Sequence, residues 1–368
     1  MGAKVSIIRC ADYDRDQVYA SVRRAVDLLG DITKIVKPDM RVLVKPNLLS
    51  ARLPEEGVDT HPEVVRAVVR LVKQAGARVW VGDSPGGYGS NVDEVFEKSG
   101  MRKMAEEEGV ELVKFNSSRD IDGFPISCHV LDADVIISVP KLKTHGITTL
   151  TAAVKNMFGA VTGLSKTACH VKAPIEDEFA KILTKVYALT RPDLTVLDTI
   201  VSMEGDGPAV GSLRCTNFIM VSQDAVAMDS VLAMIVGVRP LDLAVTRACY
   251  AEGLGEADLG KIEIVGDDVS SFVMHDFKLP QTKIIRMMPK AVLKGAASLI
   301  KFRPIIDDEH CKRCNLCRLS CPVDAITIDA KKCTINYKKC VRCLCCHEIC
   351  PYRAISIKRS MLAKMILG

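Results

Sequence analysis

No stretch of about 18 uncharged apolar residues occurs along the 368 residues, so no membrane-spanning helix is expected. The opening run MGAKVSIIRCADYDRD lacks the apolar core of an export signal. The expected compartment is therefore the cytoplasm, with peripheral contact at the inner membrane face as a further expectation. Charge of one sign is not in excess either. Fifty Lys and Arg face 45 Asp and Glu, a formal net charge of +5, too mild to make nucleic acid a partner. Nucleotide signatures are missing as well. Gly82-DSPGGYG does not fit G-x-G-x-x-G, and in Gly159-AVTGLSKT the Lys does not directly follow the second Gly as a P-loop requires. Neither NAD nor ATP is expected, and no flavin fingerprint is readable, although FMN needs none. What remains is ordinary for a folded chain of two or three domains: 48% hydrophobic and 26% charged residues.

Cysteine is the exception, with fifteen in all and ten of them between Cys311 and Cys350. A secreted disulfide scaffold is short and spreads its cysteines throughout. Dense, patterned cysteines in a cytoplasmic chain point to metal. The run Cys311-x2-Cys314-x2-Cys317-x3-Cys321-Pro322 recurs as Cys340-x2-Cys343-x2-Cys346-x3-Cys350-Pro351, offset by 29 residues throughout. The same offset maps Ala325 onto Ala354, Ile326 onto Ile355 and Ile328 onto Ile357. A tight loop with a thiolate at every third residue can wrap three corners of an iron–sulfur cubane, and the distal Cys of each run serves the other cluster. Two [4Fe–4S] clusters are therefore expected. One would sit on Cys311, Cys314, Cys317 and Cys350, the other on Cys340, Cys343, Cys346 and Cys321. Zinc, the alternative, uses paired CxxC knuckles separated by a longer loop. Cys333 and Cys345 fall outside the repeat and read as free thiols. Each Pro should end the helical turn presenting its Cys, and the Ala-Ile-x-Ile segments should form short strands over the clusters. From Asp307 to Lys358 there are ten Lys and Arg against six Asp and Glu, which favours potentials somewhat above those of an acidic ferredoxin.

The first 280 residues alternate strand and helix patterns. Arg41-VLVKPN, Arg78-VWVGDSP, Asp134-VIISVPK, Leu194-TVLDTI and Phe218-IMVSQD carry short β-rich apolar cores, suited to strands buried on both faces of a parallel sheet. Helices are expected over His61–Gly76, Asn91–Ser99, Arg102–Glu108, Ile175–Thr190 and Ala225–Val236. The fold class is α/β, an open and mostly parallel sheet with helices on both faces, followed by a small α+β ferredoxin-like domain. Each strand is followed by polar, Gly- or Pro-bearing residues, and ligands bind outside the carboxyl ends of such strands. The loops should converge on one cleft lined by Lys45, Lys141, Lys143 and His145 with Asp83, Asp198 and Asp224. Lys141, Lys143 and His145 are the catalytic candidates, His145 for proton transfer near neutrality. Lys45, Asn47, Asp83, Ser84, Gly86, Gly87, Lys155 and Asn156 are expected to hold the ligand. Lysines beside Gly-rich backbone suit a carboxylate or phosphate. Asp83 and Asp224 serve equally well as helix caps. His61, before Pro62, reads as a cap. Cys169-His170 is an isolated pair with no second pair to make a metal site, and Cys10, Cys128, Cys215 and Cys249 read as small buried hydrophobes.

The segments Val44-KPNLL, Thr60-HPEVV, Gly82-DSPGG, Ser138-VPKLKTHG, Val154-KNMFG and Asp224-AVAMD resemble those of the "domain of unknown function 362" iron–sulfur proteins. These occur in anaerobic bacteria and archaea, often with a C-terminal two-cluster ferredoxin module. The resemblance spans residues 40–235 and the C-terminal region, and implies an α/β domain coupled to electron transfer.

Four segments are expected: an α/β domain over 1–280, a basic amphipathic linker over 281–306, a two-cluster domain over 307–358 and a basic-apolar tail over 359–368. Between Phe277 and Ile306 lie seven basic residues and no acidic one, with Lys290, Lys294 and Lys301 on one helical stripe. Such a helix packs its apolar side on the main domain or makes weak contact with an anionic membrane surface. The leading expectation is an oxidoreductase that relays electrons from a redox partner protein to a small anionic organic substrate, or to an additional small-molecule cofactor, in the cleft. A ferredoxin-type carrier whose α/β domain docks a partner enzyme, and a non-redox enzyme with structural or sensing clusters, are the alternatives.

Overall fold

A computed structural model describes residues 2–86, 91–163, 165–173, 176–280 and 302–359. Gly87, Ile175, most of the 281–306 linker and the tail after Arg359 lie outside the described residues. The strands are β1 (Ala3–Arg9), β2 (Arg41–Pro46), β3 (Arg78–Val81), β4 (Glu111–Leu112), β5 (Ser118–Ile121), β6 (Phe124–Ser127), β7 (Val135–Val139), β8 (Lys141–His145), β9 (Thr149–Thr151), β10 (Leu194–Glu204), β11 (Ser212–Ser222) and β12 (Ile262–Gly266). The main sheet runs β12-β1-β11-β10-β7-β2-β3-β4, with β8 and β9 attached to the far end of β10. Neighbours are parallel except where β11 meets β1 and β10 and where β9 meets β8.

The sheet is mostly parallel as expected, and the reversed β11 is its main exception. Only residues 205–211 join β10 to β11, a hairpin length, whereas a parallel partner needs a crossover of a dozen or more residues. The end of β11 therefore lies at the opposite edge from the ends of β2, β3, β7 and β10. Asp224 is removed from the expected cleft. It caps α9 (Ala225–Ile235), its Oδ1 accepting from the Val226 and Ala227 N–H groups at 2.9 Å.

Both sheet faces are covered. Alternation along the strands sends Val42, Val44, Ile137, Val196 and Val221 to one face, with α1 (Arg15–Asp27) and α2 (Pro62–Gln74), and Leu43, Ile136, Leu197 and Met220 to the other. That second face packs on α6 (Ala153–Asn156), α8 (Glu176–Leu189) and α9. Helix α2 shows the local logic. His61 caps it, its Nδ1 accepting from the Glu63 N–H at 3.3 Å, Pro62 opens the first turn, and Gly76 follows its end at φ +82°. Helices α3 (Val92–Lys98) and α4 (Met101–Glu108) lie where the pattern placed them, and a short α5 (Cys128–Asp132) precedes β7. Lys141–His145 departs from expectation: it is strand rather than loop. The alternation puts Lys141, Lys143 and His145 on one side and Leu142 on the other.

The C-terminal part has its own small core of Cys317, Ile326, Cys333, Cys346, Cys350, Ala354 and Ile355. Around it lie β13 (Phe302–Ile306) paired with β16 (Ile355–Arg359), and β14 (Ile326–Ile328) paired with β15 (Cys333–Ile335). The Ala-Ile-x-Ile segments thus form the short strands expected. Among the other cysteines, Cys10 and Cys249 are buried, Cys128 is half-buried, and Cys215 is exposed, a correction for that residue.

Candidate functional site

The floor of the site is a buried ion pair. Lys45 Nζ lies 2.7 Å from Asp83 Oδ1, and neither side chain is more than 2% exposed. Lys45 also donates to the Asn156 carbonyl at 2.8 Å, and Asp83 accepts from the Leu48 and Ser84 N–H groups at 2.8 Å each. Burial lowers the Lys45 pKa, with Asp83 opposing. Removing either partner would strand a charge out of water, so the pair braces the strand ends. Gly159 packs directly on it: a Cβ there would lie 2.3 Å from Asp83 Oδ1 and 2.6 Å from Lys45 Nζ. Asn156 Nδ2 donates to Ser138 Oγ at 2.9 Å, while its buried Oδ1 has no partner.

Above this floor opens a cleft of about 700 Å³, part of it open to solvent. Asn47, Leu48 and Leu49 after β2, and Asp83, Ser84 and Gly86 after β3, form one wall. Lys155, Asn156, Phe158 and Gly159 form a second, and Lys166, Thr167 and His170 on α7 (Ser165–Lys172) a third. The last wall comes from the C-terminal part: Cys345, Glu348 and Ile349. Six of the expected ligand residues, Asn47, Asp83, Ser84, Gly86, Lys155 and Asn156, therefore meet in one place, with Lys45 directly beneath.

Lys141, Lys143 and His145 stand behind the walls instead of lining them. Lys141 Nζ bonds Tyr13 Oη at 2.6 Å and Asp198 Oδ2 at 2.9 Å, in a buried network where Tyr13 stacks on His61. Lys143 donates to Asn47 Oδ1 at 2.6 Å and the Val58 carbonyl at 2.5 Å. Burial lowers its pKa to about 7 and raises that of the adjacent Asp59 to about 7, each opposed by the other's charge. His145 accepts the Ile147 and Thr148 N–H groups on Nδ1, and its Nε2 lies 3.3 Å from Glu348 Oε1. Burial lowers its pKa to about 4, so it is neutral near pH 7.

Among the cleft-lining residues not assigned to it from the sequence are Lys166, His170, Cys345 and Glu348. Lys166 and His170 are four apart on α7 and so share a face. Lys166 is held by the Ser84 carbonyl, Ser84 Oγ and the Pro85 carbonyl at 2.6, 2.8 and 2.9 Å, and burial lowers its pKa to about 8. His170 packs on Phe179, its Nδ1 has no partner, and burial lowers its pKa to about 4. Burial works against the Glu348 carboxylate, but the positive neighbours His145, His170 and Lys155 overcome it and hold its pKa at about 2. Burial also lowers the Lys155 pKa, with the Glu348 charge opposing.

His170 yields a pH prediction. Between its folded pKa of about 4 and the ordinary 6.5, the unfolded chain binds a proton that the folded chain refuses. Stability therefore falls as pH drops through that window and levels off below it. His170→Gln is expected to flatten this part of a denaturation-versus-pH curve by roughly 1.4 kcal/mol per pH unit at most. An unchanged slope would show that the histidine is not buried neutral.

The cysteines ring two further cavities. One is lined by Cys311, Cys314, Cys317 and Cys350, with Cys333 also present. The other is lined by Cys321, Cys340, Cys343 and Cys346, with Cys345 also present. Each set draws three thiols from one motif and the fourth from the other. Short helices present two of them, Cys317 on α11 (Leu316–Leu319) and Cys346 on α12 (Cys345–Ile349), where α10 (Ala244–Ala251) is the preceding helix in the chain. Among the described residues no three Cys, His, Asp or Glu side chains close on a point suited to a single ion. Thiols spread around a void suit the separated corners of a cubane, and each set supplies four. Helix α12 faces both ways: Cys345 lines the second cavity and the cleft alike.

An α/β sheet joined to a small cysteine-rich domain places the chain among iron–sulfur proteins, and a 4Fe-4S binding domain matches residues 304–327. The chain belongs to the family described as Domain of unknown function (DUF362), whose family model matches residues 42–234. It is 34% identical over 288 residues to a thylakoid-associated protein of Synechocystis sp., covering 76% of this chain and 89% of that relative. The lactate racemase apoprotein from Thermoanaerobacterium thermosaccharolyticum superposes with a TM-score of 0.39 at 11% identity, over 61% of this chain and 54% of that one. A protein from Thermotoga maritima superposes with a TM-score of 0.36 at 12% identity, over 67% and 61%. No helix among the described residues is long and apolar enough to cross a membrane.

Proposed function

We propose that this protein is an iron–sulfur oxidoreductase. It would hold one [4Fe–4S] cluster on Cys311, Cys314, Cys317 and Cys350 and a second on Cys340, Cys343, Cys346 and Cys321. The observation that carries the reading is the shared wall. Helix α12 bears Cys346 on the cluster side and Glu348 on the cleft side, with Cys345 bordering both spaces. Bound there, the clusters would supply single electrons beside the cleft. The ligand is a small organic anion, and Lys155 is the cation to meet it. Lys166 is already held by three acceptors, whereas Lys155 has the charge of Glu348 beside it and no hydrogen bond among the described residues. Asn156 Oδ1 and His170 Nδ1, buried without partners, would orient the rest of the molecule. Lys166 fixes the Ser84–Pro85 wall, and His145 positions Glu348.

The test is a single turnover. Protein purified anaerobically and fully reduced should be reoxidised by the molecule it retains, with recovery of cluster absorbance and a reduced product in mass spectrometry. Retention of the molecule without reoxidation would favour the non-redox alternative.

The relative's thylakoid association adds a membrane expectation for the 281–306 segment. Lys290, Lys294 and Lys301 would meet anionic headgroups, each worth about 1 kcal/mol near the surface. Replacing the three with Gln should cut co-sedimentation with phosphatidylserine vesicles by about tenfold or more. Equal sedimentation would assign the segment to packing on the main domain.

A further inference from the structure

The cavity ringed by Cys321, Cys340, Cys343 and Cys346 shares Cys345 with the cleft and is the proximal one. The cavity ringed by Cys311, Cys314, Cys317 and Cys350 shares no lining residue with the cleft and is distal. The internal duplication builds the same turn before each. Asp307 N–H donates to the Ala354 carbonyl at 2.8 Å, and Asn336 N–H to the Ala325 carbonyl at 2.7 Å. Cys311 and Cys340 N–H then return to the carbonyls of Asp307 and Asn336, at 3.0 Å each. Arg313 and Arg342 follow at φ +53° and +59°. On this matched backbone the side chains differ in sign. The distal turn carries exposed Asp307, Asp308 and Glu309 against Lys312 and Arg313. The proximal turn carries exposed Lys338, Lys339 and Arg342, and no Asp or Glu stands between Lys331 and Glu348.

Two further cations join the proximal side. The Arg303 guanidinium lies 4.8 Å from the centre of the Tyr337 ring, and Tyr337 Oη donates to the carbonyl of Pro304, which lines the proximal cavity. Lys358 stands directly opposite Arg303 across the β13–β16 pair, and both are exposed. Exposed Asp324, next to cavity-lining Val323, is the acid on this side, and it leaves the balance positive. Within the cations sit two exposed apolar side chains, Tyr337 and Val341, and Val341 itself lines the proximal cavity. The matching distal position holds Lys312.

We infer that this face, over Tyr337, Lys338, Lys339, Val341 and Arg342, is the docking surface for an acidic single-electron carrier protein, which exchanges electrons with the chain at its proximal end. The inference rests on the two-cluster reading. One electron leaves the carrier and one arrives on this chain; no bond forms or breaks and no proton moves. An apolar centre inside a charged rim is the usual layout of a protein interface, and the rim steers a partner of opposite sign. Half-buried Cys340 and Cys343 lie within the face, so its occupant sits where an electron would enter. That position suits a redox protein better than a layer of lipid headgroups.

The test uses the full, cluster-loaded chain and a strongly acidic one-cluster ferredoxin as probe, with affinity measured at low and high salt. Binding should weaken steeply with salt. The triple variant Lys338→Glu/Lys339→Glu/Arg342→Glu should bind at least about tenfold more weakly, while Lys312→Glu/Arg313→Glu at the matching distal turn stays within about twofold. All forms should carry the same iron. Should the triple variant lose iron, Lys338→Gln/Lys339→Gln takes its place, with a loss of at least about threefold expected. Equal losses at the two turns, or no binding of the ferredoxin at low salt, would overturn the docking face. Weaker co-sedimentation of the triple variant with phosphatidylserine vesicles, at unchanged ferredoxin affinity, would overturn it in favour of a membrane. An iron content well below about eight in the parent chain would remove the two-cluster reading and the inference with it.

Discussion

Cys350→Ala is expected to halve the iron content to about four per chain and to remove the cluster whose other three ligands lie in the first motif. Pairs of substitutions make the crossing visible. Cys311→Ala with Cys350→Ala should cost no more iron than Cys311→Ala alone, because both would empty one cavity. Cys311→Ala with Cys321→Ala should empty both, although these two cysteines belong to the same motif. Uncrossed ligation predicts the reverse pattern, so iron analysis of the two double variants separates the arrangements. Cys333, whose Sγ lies 4.0 Å from that of Cys317, is the thiol able to substitute as a ligand. The Cys311→Ala series is therefore best built on Cys333→Ser.

Lys155→Met should abolish retention of the cleft's ligand while leaving cluster absorbance intact. A charge-assisted contact of this kind contributes about 1.5–3 kcal/mol, a loss of roughly 10- to 100-fold in affinity. The measurement is the amount of small molecule recovered from anaerobically purified protein. Unchanged recovery would take the cation out of the binding role and leave it as a partner of Glu348 alone. Lys143→Met is the useful comparison. It removes a lysine that holds Asn47 from behind the wall, so it should lower stability more than it changes the ligand's charge preference.

The grouping of the cysteines around two cavities was legible because coordination chemistry dictates such spacing, and the 29-residue repeat carries the packing residues with it. The cleft was legible in outline, since polar residues after β2 and β3 sit at the carboxyl ends of parallel strands. Direction was harder to read. A strand buried on both faces has the same apolar appearance either way along, and the signal lay in the short 205–211 connection, not in β11 itself. The Lys141–His145 segment was misplaced because charges suggested loop, while the alternation of charged side chains with Leu142 and Thr144 is that of a strand. Lys166 and His170 had a local signature, the four-residue spacing on α7. Cys345 and Glu348 had none. Their place in the cleft depends on how the cysteine-rich part sits against the sheet, through contacts such as Arg52 Nη2 to the Cys350 carbonyl at 2.6 Å and Arg353 to Glu56 at 3.7 Å.

Iron and acid-labile sulfide, counted together in the parent chain after anaerobic purification, bear most directly on the reading. Two cubanes require about eight of each per chain. Values near four with one cluster signal, or stoichiometric zinc with no sulfide, would contradict it.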